Sequence, residues 1–205
     1  KTAKEIGARH LIIETEETKE ENYLKNPSNR CYYCKTELYA KLKEVSEELG
    51  IKNILNGTNF DDLGDYRPGL KAADENNVIS PLKDAKLTKN EIRKLANHLG
   101  LGAWDKPSSP CLSSRVPYGQ KITMQKLSMI EKAEEFLKKF GIRELRVRHF
   151  GNAARIEVNE DDKPAINANF NLIQRKFNEI GFKEIEIANF RSGNLNVVLN
   201  VRAEN

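Results

Sequence analysis

Ile51-Lys-Asn-Ile-Leu-Asn-Gly-Thr-Asn-Phe-Asp-Asp62 is the stretch whose reading decides the fold. Lys52 to Leu55 reads as a short strand that opens, at Gly57, onto a polar and acidic loop. Upstream, Leu38, Leu42, Val45 and Leu49 recur at spacings of three or four, which predicts a helix from Lys35 to Leu49 ended by Gly50. Further upstream the apolar run from Leu11 to Glu14 reads as another strand. Downstream, Val78 to Leu82 reads as a strand end, and Thr88-Lys-Asn-Glu91 is a capping box for a helix that runs to Leu99 and stops at Gly100. Strands alternating with helices predict an α/β fold with a parallel sheet.

Beyond the Pro- and Ser-rich segment from Lys106 to Gly119 the pattern changes. Leu127, Ile130, Ala133, Phe136, Leu137 and Phe140 line one face of a helix from Thr123 to Phe140, which Gly141 closes. Glu144 to Phe150 and Ala153 to Val158 alternate as two strands around Gly151-Asn152. A helix from Pro164 to Ile180, a strand from Glu184 to Ile187 and a last strand from Leu195 to Leu199 complete a smaller α+β domain, a half-open ferredoxin-like sandwich. The expected division is 1–120 and 121–205.

The 205 residues suffice for two small domains, each with a core. Apolar residues make up 39% and charged residues 31%, as in an ordinary globular protein, and no apolar run approaches the ~20 residues of a membrane span. The net charge, 34 − 30 = +4, suits small anions and is too weak to argue for nucleic acid. Three cysteines, an odd number, argue against a disulfide framework and for a cytoplasmic setting. Lys1 to Ala8 reads as the tail of a helix capped by Gly7, with no signal-peptide pattern. The expectation is therefore that the natural protein has earlier residues.

Three stretches carry chemistry. Cys31 and Cys34 form C-x-x-C, a spacing that serves zinc, iron–sulfur and redox sites alike, and Cys111 stands alone. Gly57, Thr58, Asn59, Asp61 and Asp62 follow a predicted strand, where open parallel sheets bind nucleotides, and paired carboxylates can hold Mg²⁺ through water. The same residues also suit a capped loop, with Asn59 or Asp61 as a helix N-cap. Arg67 lies in the turn that follows, placed for a phosphate or carboxylate. Trp104 to Gly119 holds Cys111 among serines and Arg115, and its composition also fits a linker. Arg146 and Arg148, two apart on a strand, leave the same face. Two such guanidiniums suit a bound anion or a solvated face, and Glu157 on the neighbouring strand can pair with an arginine or hold a metal.

Asn29-Arg-Cys-Tyr-Tyr-Cys-Lys35, Gly57-Thr-Asn-Phe-Asp-Asp-Leu-Gly-Asp-Tyr-Arg-Pro-Gly69 and Pro110-Cys-Leu-Ser-Ser-Arg-Val-Pro-Tyr-Gly119 resemble the signature stretches of the LarE family of PP-loop ATP pyrophosphatases. Arg146-Val-Arg-His149, Ala154-Arg-Ile-Glu157 and Arg191-Ser-Gly-Asn-Leu-Asn196 extend the resemblance over essentially the whole chain. It implies an ATP-dependent sulfur transferase of nickel-pincer nucleotide biosynthesis. Such enzymes adenylylate the carboxylates of a pyridinium dicarboxylate mononucleotide and replace AMP by sulfur, giving thiocarboxylates.

The resemblance implies one of two sulfur sources: Cys111 sacrificed to dehydroalanine, or a [4Fe–4S] cluster held by Cys31, Cys34 and Cys111. The presence of three thiols and no fourth favours the cluster, whose open iron would carry sulfide. By position, Ser114 and Arg115 match the family's substrate loop, Arg146 and Arg148 its phosphate-binding pair, and Glu157 an acidic partner, with Glu134 a weaker match. The family also implies ATP with Mg²⁺, and self-assembly. One departure is large: the Ser-Gly-Gly-x-Asp-Ser loop that would grip ATP phosphates is absent from these residues, so the PP-loop domain is expected to lack its first strand and loop. Alternatives are a PP-loop tRNA thiolase and a non-catalytic metal-binding module.

Overall fold

The computed structural model describes residues 1–191. The expected strand from Leu195 to Leu199 and the residues from Ser192 to Asn196 of the last motif lie outside them. The chain folds as two compact units: Lys1–Tyr23 with Asn29–Lys106, and Leu24–Ser28 with the residues from Pro107 onwards. The mix of helix and strand agrees with an α/β class, but the only extended sheet among the described residues is a three-stranded one in the second unit.

The first unit is mainly helical. Short helices α1 (Thr2–Glu5) and α2 (Glu21–Leu24) precede the long α3 (Arg30–Glu48), and α4 (Gly69–Glu75), α5 (Pro81–Asp84) and α6 (Lys89–His98) follow. Thr88 caps α6 as expected, with both bonds of the capping box formed. The glycines expected to end helices, Gly7, Gly50, Gly100 and, in the second unit, Gly141, all have left-handed φ between 65° and 82°. The parallel strands are a correction. Leu11 to Glu14 forms no strand, and the two later strands shrink to one parallel bridge, Leu55 to Ile79, before Pro81 begins α5. A strand exists only by hydrogen bonding to a neighbour, and the described residues give Leu11 to Glu14 none. Leu55 and Ile79 stay exposed accordingly. The core is thin: Tyr39, Ala72, Ala73 and Val78, with Tyr32, Leu42 and Ile54 against them.

The second unit is built on α7 (Met124–Lys138), strands β1 (Leu145–Phe150) and β2 (Ala153–Val158), helices α8 (Lys163–Ala168) and α9 (Phe170–Ile180), and β3 (Glu184–Asn189). Thr123 caps α7 through Lys126 N–H. β1 and β2 form the expected antiparallel hairpin, and Gly151, at φ 62°, occupies a left-handed turn position that glycine takes without steric cost. The single helix expected from Pro164 to Ile180 breaks at Asn169. β3 lies parallel to β2 and directly beside it. A ferredoxin-like arrangement would insert a strand between those two, so that expectation is corrected for the described residues.

Leu145 and Val147 of β1 and Ala154, Ile156 and Val158 of β2 face α7 and α9, packing with Leu137, Ile173, Phe177 and Phe182. The opposite face of β1 and β2, carrying Arg146, Arg148 and Glu157, is covered by the segment after Pro107. Both faces of the hairpin are therefore covered, except near Arg155, whose side chain stays 35% exposed.

Two outcomes follow. Ile156→Ala, at a fully buried position of the central strand, should lower unfolding stability by about 2–5 kcal/mol in a urea titration. His149 is buried against Phe182, and burial first, then the positive charge of Lys126, lowers its pKa. The folded protein thus favours the neutral imidazole, so its contribution is complete above the unfolded value of about 6.5 and is lost as pH falls below it. His149→Leu should flatten the fall of the urea midpoint between about pH 7.5 and 5.5.

Candidate functional site

The cysteine pair sits on a helix. The sequence placed Asn26 to Arg30 and both thiols before the helix, whereas α3 begins at Arg30 and carries Cys31 and Cys34 in its first turns. A spacing of three puts them on one helical face. Both are half-buried and neither is in a disulfide. Arg30, 2% exposed, brings Nη2 to 3.9 Å from the Cys31 Sγ. The start of α4 packs here, so that a Cβ on Gly69 would lie 3.1 Å from Lys35 Cγ and 3.5 Å from the Cys31 carbonyl oxygen.

The glycine loop is a capped loop in this structure. Asn59 caps the 3₁₀ turn Phe60–Gly64, its side chain accepting from Asp61 N–H, while Asp62 accepts from Asn59 N–H at 2.9 Å. Asp62 also pairs with Arg67 at 2.8 Å, and Asp61 accepts from Lys89 N–H at the start of α6. These carboxylates thus organise backbone and guanidinium. Around Gly57 a Cβ would meet nothing within 4 Å, leaving space at the loop's opening. Behind it Asn56, which sequence reasoning passed over, accepts from Thr58 N–H at 3.0 Å and from the Ser80 hydroxyl at 2.9 Å. Its place directly before Gly57, at a strand end, was the available signal.

In the second unit the segment around Cys111 has almost no regular structure, only the 3₁₀ turn Leu112–Arg115. Its carbonyls are taken by side chains instead. Arg146 Nη2 donates to Ser108 O at 2.5 Å, and Arg115 Nη1 to Pro110 O at 2.8 Å and Cys111 O at 3.0 Å. Arg148 Nη1 donates to Ser114 O at 3.0 Å. The fully buried Asn26, at φ 54°, donates its amide to Val116, Pro117 and Gln120 carbonyls. Cys111 itself remains exposed, with a free thiol.

Two carboxylates hold these cations. Glu134, on the buried side of α7, receives Arg115 Nε at 2.9 Å and Nη2 at 3.3 Å, and its Oε1 also accepts the Val147 N–H of β1. Glu157, opposite Arg146 in register, pairs diagonally with Arg148 at 2.7 Å. Burial first, then the neighbouring Arg115, lowers the Arg146 pKa. The environment at Arg146 is thus poor for one more positive charge and correspondingly good for an anion. The expected residues Ser114, Arg115, Arg146, Arg148 and Glu157 are brought together beside Cys111. Gly57, Thr58, Asn59, Asp61, Asp62 and Arg67 belong to the other unit, as do Cys31 and Cys34. Asn26 and Arg30 were missed. The dipeptide Asn26-Pro27 marked a turn and gave no sign of its burial.

A polar recess of about 420 Å³ lined by Glu14, Thr15, Glu16, Thr18, Lys19 and Lys41 contains none of these residues. The buried Arg115–Glu134 pair yields a direct test. Glu134→Ala strands a buried guanidinium and an unpaired strand N–H, and should cost about 3–5 kcal/mol in chemical denaturation, well above an exposed pair such as Lys176–Glu179 at about 0–1 kcal/mol.

No protein-family model matches the chain. Among individual proteins, it is 41% identical over 198 residues to an uncharacterized protein of Synechocystis, covering 95% of this chain and 74% of that one. It is 34% identical over 180 residues to an uncharacterized protein of Methanocaldococcus jannaschii, covering 88% of this chain and 70% of that one. The pyridinium-3,5-bisthiocarboxylic acid mononucleotide synthase of Lactiplantibacillus plantarum is 32% identical over 199 residues, covering 96% of this chain and 72% of that enzyme. With that identity and that coverage, the chain belongs to the LarE family, that of the pyridinium-3,5-bisthiocarboxylic acid mononucleotide synthases.

Proposed function

We propose that the complete protein is an ATP-dependent sulfur transferase that converts the carboxylates of a pyridinium dicarboxylate mononucleotide to thiocarboxylates, for a nickel-pincer cofactor. One juxtaposition carries the reading: an exposed thiol, Cys111, on a loop whose carbonyls are gripped by Arg115, Arg146 and Arg148. A sulfur nucleophile beside guanidiniums suits a phosphate-bearing, carboxylate-bearing substrate. The name of the Lactiplantibacillus relative points the same way.

A carboxylate is a poor electrophile until one oxygen becomes a leaving group. In the proposed sequence the substrate carboxylate displaces pyrophosphate from ATP, and sulfur then attacks the acyl adenylate with loss of AMP. Arg146 and Arg148 bind the nucleotide phosphate, Glu157 orients Arg148, and Ser114 lines the substrate loop. The glycine loop at Gly57, Thr58 and Asn59, with Asp61, Asp62 and Arg67, faces the adenine nucleotide and its Mg²⁺. No phosphate-gripping glycine loop occurs within these 205 residues, so adenylylation and the PP-loop fold are assigned to the complete protein. Self-assembly and a cytoplasmic location complete the reading, and no described helix is long and apolar enough to cross a membrane.

For the sulfur source the donor set is the guide. Cys31 and Cys34 share one helical face and none of the three cysteines is in a disulfide, a set that suits a three-thiolate [4Fe–4S] cluster. Such a cluster would supply exchangeable sulfide at its open iron. Cys111 as a sacrificial donor is the other form of the same activity.

Iron and acid-labile sulfide are to be measured on complete protein purified without oxygen. The expected result is about four of each per chain, lost on changing Cys31, Cys34 or Cys111 to serine. Little iron, with a protein mass lower by one sulfur and two hydrogens after turnover, would assign the sulfur to Cys111. Full thiocarboxylate formation by Cys111→Ser would overturn the place of Cys111 in sulfur transfer, and no thiocarboxylate from the unaltered protein would overturn the reading itself.

A further inference from the structure

Arg115 is 3% exposed, and its guanidinium is engaged on every nitrogen. Nε and Nη2 meet the two oxygens of Glu134, while Nη1 meets Pro110 O, Cys111 O and the Ser114 Oγ at 3.0 Å. An arginine has five N–H donors. Five protein acceptors converge on this one, three of them sharing the two N–H groups of Nη1, so that among the described residues only the second N–H of Nη2 is left for any further partner. The acceptors also share a feature: the carbonyls of two successive residues, Pro110 and Cys111, turn toward one Nη1.

Carbonyls on both sides of the Cys111 Cα are thereby fixed, and the Ser114 hydroxyl, which itself donates to Cys111 O at 2.7 Å, closes the turn. The backbone that aims the thiol is held by a side chain anchored to α7 through Glu134. Glu134 is in turn keyed to β1 through Val147 N–H.

We propose that Arg115 is a positioning residue, not a substrate contact: with Glu134 it holds the peptide groups flanking Cys111 so that the thiol is presented from a preset loop. Its catalytic consequence rests on the sulfur-transfer reading of Cys111; its geometric content does not. Arg146 and Arg148, each with one donor on the loop, keep the anion-binding part, and Arg115 keeps the loop.

The test uses the complete protein with Arg115→Ala, Arg115→Lys and Glu134→Gln. Three quantities are read: amide hydrogen exchange over 108–116, binding of the pyridinium dicarboxylate mononucleotide by calorimetry, and steady-state turnover. Arg115→Ala should speed exchange over 108–116 by about 10-fold, with α9 amides unchanged, because local protection reports local opening. It should leave affinity for the pyridinium dicarboxylate mononucleotide within about 2-fold and lower kcat by about 10²-fold at unchanged KM, as expected for a misplaced reacting group. Added guanidinium ion should restore part of the exchange protection and of kcat. Lysine, which cannot span Glu134 and two carbonyls, should not rescue.

If Arg115→Ala does not fold, Glu134→Gln carries the test, with the same direction at smaller size. A 10-fold or larger loss of affinity for the pyridinium dicarboxylate mononucleotide with exchange over 108–116 unchanged would make Arg115 a substrate contact and overturn the proposal. If instead Cys111→Ser keeps full turnover, the sulfur-transfer role of Cys111 fails, while the exchange result still decides whether Arg115 holds the loop.

Discussion

A guanidinium and a carboxylate, Arg115 and Glu134, lie within the second unit with side chains 3% and 7% exposed. Removing both from water is costly, of the order of several kcal/mol per ion, and Coulomb attraction alone does not reliably offset it. The offset here comes from completeness. Each Arg115 nitrogen finds an acceptor, and Glu134 Oε1 takes a second donor from β1. Helix, strand and loop are thereby referred to one pair of ions. Apolar packing could join α7 to β1, but it could not hold the carbonyls of a segment with no ladder of its own.

Around that pair the charge does not balance. Arg115, Arg146 and Arg148 face the buried carboxylates Glu134 and Glu157, a count of 3 − 2 = +1 that the half-buried Glu144 beside Arg146 partly offsets. The depressed Arg146 pKa reflects burial and the neighbouring cation. Carbonyl dipoles of Ser108 and Ser114 make up part of the deficit. Neutral dipoles satisfy hydrogen bonds without cancelling charge, so an anion gains here both the bonds and the charge.

What was legible in the sequence was local. The capping box at Thr88, the helix-ending glycines and the hairpin at Gly151 depend on residues a few positions apart, and the structure has them. The same holds for the amphipathic face of α7. The parallel strands of the first unit depend on partners distant in sequence, so apolar runs such as Leu11 to Ile13 suggested strands that the described residues do not form. The alternation of β1 and β2 marked Arg146, Arg148 and Glu157 as one face, but no pattern announces that an irregular segment covers it. The helical position of the cysteines was masked by Asn26 to Arg30, whose composition signals a loop, and by Tyr32 and Tyr33, which are indifferent helix formers. Buried polar anchors such as Arg30 and Asn26 leave no periodic trace at all.

The bond from Val147 N–H to Glu134 has a meaning beyond this fold. Among the described residues β1 is the outer strand of its sheet, and outer strands offer unpaired backbone groups to any passing strand, including that of an identical molecule. Here the middle of the strand is already occupied by a carboxylate that is also committed to Arg115. A second strand could zip onto β1 only by evicting that carboxylate and stranding a buried cation. The charge that orders the loop therefore also keeps the sheet from growing sideways into an aggregate.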